Sequence, residues 1–173
     1  MITIISGTNR PDSNSLGLSK YYQELLTNHG TSSQVYSLCE LPVDFANTNM
    51  YGNRTADFEE VLSKFVEPID KFIFVFPEYN GSIPGILKLF LDSMPPELWH
   101  NKKAALVGLS AGRTGNLRGL DDMTNILHYL QMEVLSKKPK LSVFHSLINE
   151  EKVLVDLTSI KQLEQQIAKF LTF

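Results

Sequence analysis

The stretch Lys71-Phe72-Ile73-Phe74-Val75-Phe76 constrains this chain more than any other. Its apolar residues run without a break, so the segment has no polar face to turn toward water. A half-exposed strand would alternate polar and apolar. A strand that does not alternate must be covered on both sides, which is the place of a central strand in a parallel α/β sheet. The remaining sequence supplies what such a sheet needs. Residues 1–6, rich in β-branched side chains, and residues 34–38, 104–109 and 141–144 read as further strands. Apolar residues recur at helical spacing over 16–28, 55–67, 83–93, 117–131 and 159–170. Ser15 is a candidate cap for the first helix, Gly30 its stop, and Pro95 with Pro96 closes the third.

Strands alternating with helices imply a parallel sheet with helices on both faces. Five strands in 173 residues suit one α/β domain over residues 1–173. The expected fold is a flavodoxin-like, doubly wound five-stranded parallel sheet of order 2-1-3-4-5. Charge narrows the class of partner. Lys plus Arg number 16 against 19 Asp plus Glu, a net −3, so no basic excess exists to neutralise a nucleic-acid backbone. The single cysteine, Cys39, excludes an internal disulfide and a cysteine-cluster metal site. His29, His100, His128 and His145 lack metal-ligand spacing and read as surface or capping residues. No apolar run approaches the roughly 18 residues of a membrane helix, and the N-terminus lacks a signal-peptide layout. A soluble, cytoplasmic protein is expected.

In such a sheet ligands bind beyond the carboxyl ends of the strands, where the winding reverses. That rim gathers the loops after strands one, three and four, which are also the most unusual segments of the sequence. The first is Gly7-Thr8-Asn9-Arg10-Pro11-Asp12-Ser13-Asn14-Ser15. Hydroxyls, amides, one cation and a helix start are what a phosphate requires, and Gly7 would let backbone approach it. An ordinary polar loop with Ser13 or Ser15 as helix cap is the alternative. Neither the P-loop pattern nor G-x-G-x-x-G is present. The second loop is Pro77-Glu78-Tyr79-Asn80-Gly81-Ser82-Ile83-Pro84-Gly85. Two prolines and two glycines stiffen it. Main-chain groups near Asn80 and Gly81 suit the edge of a flat heteroaromatic ligand, with Tyr79 as a wall or lid. Glu78 reads as a base or, more plainly, as a capping carboxylate. The third loop, Ser110-Ala111-Gly112-Arg113-Thr114-Gly115-Asn116, has small residues that let backbone meet a ligand, or that simply make a turn. The helix at 83–93 carries Ile86, Leu87, Leu89, Phe90 and Leu91, more apolar surface than one sheet face covers, and this points to a subunit interface, with deep burial inside the chain as the alternative.

Together these segments resemble the NADPH-dependent FMN reductase family, relatives of azo, quinone and chromate reductases. Gly7-Thr8-Asn9-Arg10 with Ser13 and Ser15 is similar to that family's phosphate loop. Pro77 to Gly85, followed by Leu87-Lys88 and Asp92, matches its most specific signature nearly residue for residue, and Ser110–Gly115 with Arg118 resembles its third loop. The resemblance implies non-covalent FMN held by Thr8, Asn9, Arg10, Ser13, Asn14, Ser15, Pro77, Glu78, Tyr79, Asn80, Gly81, Ser110, Ala111, Gly112, Arg113 and Gly115. It implies NADPH or NADH as co-substrate, hydride transfer to flavin N5, and a ping-pong reaction onto a small-molecule acceptor. It also implies a homodimer or homotetramer. The chemistry belongs to the cofactor, so no catalytic side chain and no metal is expected. Main-chain N–H groups around Asn80–Ser82 and Ala111–Gly115 are the expected donors to the flavin ring. Thr8 replaces the family's usual serine, Leu89-Phe90-Leu91 replaces a more polar segment, and Ser93 stands where an aromatic is common. A flavodoxin-type electron carrier, binding FMN without oxidising NAD(P)H, is the alternative, although carriers tend to be more acidic. A phosphatase or nucleotide-binding module using only the first loop is a third.

Overall fold

A computed structural model describes residues 1–173. Its strands are β1 (Ile2–Ser6), β2 (Ser33–Ser37), β3 (Lys71–Pro77), β4 (Lys103–Leu109), β5 (Glu133–Val134) and β6 (Lys140–Leu141). All pairings are parallel, in the order β2-β1-β3-β4-β5, with β6 also on β4. The helices are α1 (Asn14–Asn28), α2 (Phe45–Thr48), α3 (Ala56–Phe65), α4 (Gly85–Asp92), α5 (Leu117–Tyr129) and α6 (Leu157–Thr172). None is long and apolar enough to cross a membrane.

The unbroken apolar run of β3 is divided by the pleat. Phe72, Phe74 and Phe76 enter one core with Phe58 and Leu62 of α3, Leu87 and Phe90 of α4, and Leu120 and Leu127 of α5. Ile73 and Val75 enter the other with Leu18 and Tyr22 of α1 and Leu163 and Ile167 of α6. Each strand residue therefore has a helix above or below it, which is why no polar residue interrupts the run. Two lysines at the opposite edge from the site close helix ends. Lys102 Nζ donates to the Val66 and Glu67 carbonyls beyond α3, and Lys71 Nζ to those of Phe170 and Leu171 in α6. Their charge meets the negative pole of each helix.

Three expectations need correction. The cap of α1 is Ser13, whose side chain accepts from the Leu16 N–H; Ser15 lies inside the helix. The fifth strand is not a single segment at 141–144. It is broken into β5 and β6, and residues 144–146 form a 3-10 turn. Across the break the Gln166 side-chain amide, 1% exposed, donates to the Leu106 and Lys137 carbonyls and replaces the missing ladder. On α4, Leu87, Phe90 and Leu91 are already buried within the chain, while Lys88 and Asp92 pair on the exposed side at 2.7 Å. The sheet thus covers more of that helix than its composition suggests.

Candidate functional site

The loops following β1, β3 and β4 converge at the carboxyl rim, and side chains tie them to one another. Thr8 Oγ1, fully buried, shares a hydrogen bond of 3.0 Å with the Tyr79 hydroxyl, joining the first loop to the second. Thr114 Oγ1 donates to Glu78 Oε2 at 2.8 Å, joining the second to the third. Between them lies a cavity of about 390 Å³, the scale of a small-molecule site.

Local chemistry explains each loop. Ser6, Ser15 and Ser13 form a chain of hydroxyls at 3.2 and 3.0 Å, so the Ser15 hydroxyl holds the helix start in place. The N–H groups of Ser13, Asn14 and Ser15 make no hydrogen bond within the chain. At the positive end of a helix, that is an anion-binding set. In the second loop, Tyr79 and Ser82 exchange both backbone hydrogen bonds around Asn80 (φ 52°) and Gly81 (φ 80°). An Asn-Gly pair with both φ positive is the preferred two-residue turn. In the third loop the Ser110 hydroxyl donates to the Gly112 carbonyl and accepts from the Gly115 N–H, a bracket that spends its polar capacity internally. The third loop is pinned from behind: Ser110 N–H donates to Leu141 O and Val143 N–H to Gly112 O. A Cβ at Gly115 would stand 2.7 Å from Lys140 Cβ, at φ 61°, so only glycine fits.

Of the residues singled out from the sequence, Thr8, Arg10, Ser13, Asn14, Ser15, Pro77, Glu78, Tyr79, Ser110 and Ala111 line this cavity. Asn9 does not; it borders a separate groove with Leu38, Cys39 and Ile86. Asn80, Gly81, Gly112, Arg113 and Gly115 also lie off the lining, on the turn tip and the outer part of the third loop. Gly7 is required by packing, because a Cβ there would meet Phe76 Cβ at 2.7 Å and Leu87 Cδ2 at 3.0 Å. The donor set around the ring-edge loops is narrower than expected. Ser82 N–H and Gly115 N–H are taken by Tyr79 O and Ser110 Oγ, which leaves those of Asn80, Gly81 and residues 111–114 unpartnered.

Pattern reading missed a fourth wall. Phe144, His145 and Lys152, from the segment after β6, line the same cavity. His145 is thus more than a surface residue. The available signal was topological: this segment also leaves the carboxyl end of a strand, on the same rim as the other three.

At the switch point of a doubly wound sheet, a helix start with open N–H groups lies beside two loops with further open N–H groups, an anion-binding arrangement in an α/β protein. The chain belongs to the NADPH-dependent FMN reductase family, whose model matches residues 1–145. Among its relatives is an NAD(P)H:quinone oxidoreductase of Solanum tuberosum, 32% identical over 136 residues, which are 77% of this chain and 70% of the relative. Another is a 2-hydroxy-1,4-benzoquinone reductase of a Burkholderia species, 33% identical over 111 residues, 60% of each chain. In fold the chain is similar to the flavoenzyme NAD(P)H:(acceptor) oxidoreductase of Paracoccus denitrificans. The TM-score is 0.78 at 22% identity, covering 99% of this chain and 94% of that one.

Proposed function

We propose that this chain is an FMN-dependent NAD(P)H oxidoreductase that passes electrons by a ping-pong cycle to a quinone-type small molecule. The observation that carries the reading is the donor set. The unpartnered N–H groups of Ser13, Asn14 and Ser15, with Arg10 beside them, suit a phosphate, and that of Ala111 on the lining, with those of Asn80, Gly81 and residues 112–114 beyond it, suits an electron-rich ring edge. FMN, when bound, supplies the hydride-accepting and hydride-donating chemistry. This chain's residues bind and orient. Arg10 and the start of α1 hold the phosphate. The Thr8–Tyr79 and Glu78–Thr114 hydrogen bonds keep the three loops in register. Among the open main-chain N–H groups, that of Ala111 belongs to a residue on the cavity lining and favours negative charge on a ring held there, and the Ser110 bracket that braces its loop spares it reorganisation. The choice of a quinone over an azo compound, a free flavin or a metal oxyanion is supported by the names of the two relatives above.

The working unit is a homodimer or a dimer of dimers. A groove of about 550 Å³ between α4 and α5, bordered by Leu91, Met94, Ile126 and the exposed Tyr129, supports that assembly. Reduced nicotinamide as the donor is in keeping with a cytoplasmic setting. The test is steady-state oxidation of NADPH and of NADH by FMN-loaded protein, with a panel of quinones, azo dyes and free flavins. Parallel double-reciprocal lines and the highest kcat/KM for a quinone are expected. Bound FMN without NAD(P)H oxidation would make the chain an electron carrier instead.

A further inference from the structure

The cavity has a charge balance that the three loops alone do not complete. Arg10 and Asp12 line it from the first loop and Glu78 from the second. A phosphate monoester carries about −1.5 to −2 at neutral pH. Arg10 faces that ligand with a carboxylate two residues along and another across the cavity. The second cation on the lining is Lys152, and it comes from outside both loops and beyond residue 145, where the family match ends.

Lys152 sits in a braced turn. Asn149 N–H donates to Val153 O, Lys152 N–H to Asn149 O, and Asn149 Oδ1 accepts from the Val153 N–H. Ile148 and Leu154 bridge on either side, and Phe144 and Leu154 anchor the segment in the core shared with α1 and α6. Within this turn Lys152 has φ 61°, a left-handed conformation that glycine or asparagine adopts with less strain. Its ammonium makes no ion pair and no hydrogen bond in the chain. A turn that glycine would suit better therefore holds an unpaired, exposed lysine at the junction of this cavity and the groove along α1 that Lys20 and Glu24 line.

We propose that Lys152 is a phosphate-recognising residue of this site, its ammonium pairing with the phosphate of the bound flavin nucleotide. The proposal rests on the FMN reading above. It is tested with wild-type protein and the Lys152→Gly and Lys152→Arg variants. Each is stripped of flavin and titrated with FMN and with riboflavin by fluorescence quenching, and its thermal unfolding is recorded. Lys152→Gly should bind FMN about tenfold more weakly, as loss of one charge-assisted contact implies. Its riboflavin affinity should be unchanged, its melting temperature equal or higher, and its FMN deficit smaller in high salt. Lys152→Arg should stay near wild type. A purely structural lysine would reverse the pattern, with both flavins weakened alike and the melting temperature lowered, and that would overturn the proposal. So would a Lys152→Gly variant that bound FMN like wild type but had a raised KM for NADPH, since the lysine would then serve the donor's phosphate. Wild-type protein that bound neither flavin would remove the FMN reading and this proposal together; FMN binding that was equal in wild type and Lys152→Gly would remove this proposal alone.

Discussion

Replacing Gln166 with leucine tests what holds the third loop in place. The side chain is buried, and leucine approximates its volume, so packing is nearly kept and the polar atoms are what is lost. Three partners lose their hydrogen bond: the Leu106 carbonyl at 2.9 Å, the Lys137 carbonyl at 2.8 Å and the Tyr22 hydroxyl at 2.6 Å. Lys137 is half-buried and water can replace its bond. Leu106 and Tyr22 are wholly buried. An orphaned buried polar group costs about 1–3 kcal/mol, and leucine returns about 1 kcal/mol by removing an amide from the interior. The net loss is about 1–5 kcal/mol, to be read as a lower urea midpoint at constant m-value. The double variant Gln166→Leu/Tyr22→Phe should be about 1 kcal/mol more stable than the two single losses predict, because the stranded hydroxyl is gone. Flavin affinity should fall in Gln166→Leu as well, since the amide spans the break before β6 and the backbone of β6 pins Ser110. A stability loss below about 1 kcal/mol would show that the broken edge strand does not depend on this amide.

The other expectations are more local. Arg10 is exposed and makes no ion pair, so Arg10→Ala should leave stability within about 0.5 kcal/mol while weakening FMN about 10- to 100-fold and riboflavin hardly at all. Within the third loop, Gly112 has open space around it and no positive φ, so Gly112→Val should fold normally and retain FMN yet slow NAD(P)H oxidation; Gly115→Ala should instead unfold more readily. Undiminished turnover in flavin-loaded Gly112→Val would place the nicotinamide elsewhere. Burial pushes the Tyr22 phenol well above its usual range. Above about pH 10 the unfolded chain ionises this tyrosine and the native chain does not, so stability falls with rising pH. Urea midpoints should drop less steeply over that range in Tyr22→Phe. Light scattering at micromolar concentration should give a mass at least twice 19.5 kDa, and a monomer would refute the α4–α5 interface.

Much of this protein is written in local sequence. The Phe-Ile-Phe-Val-Phe run of β3 dictates a doubly covered strand because each side chain there, on either pleat, must find a helix. The alternation of strands and helices then leads to the observed order, since parallel crossovers are long and of one hand. The three loops were legible for the same reason: glycine, proline, serine and asparagine accept turn conformations that other residues resist. What the tertiary structure decided are matters of pairing between distant residues. Residues 141–144 have the composition of one strand, but the Gln166 amide, 60 positions from Leu106, makes a broken edge stable. Which N–H groups stay open for a ligand depends on which carbonyls and hydroxyls reach the others. Asn9 and Thr8 are neighbours, yet the chain turns one toward a separate groove and buries the other beneath Tyr79. Lys152 lines the cavity from a turn between β6 and α6, a stretch to which the sequence pattern assigns no element. Periodicity records whether a residue is buried; a hydrogen bond or a charge pair across the fold leaves no periodic trace, and only the folded backbone brings its two halves together.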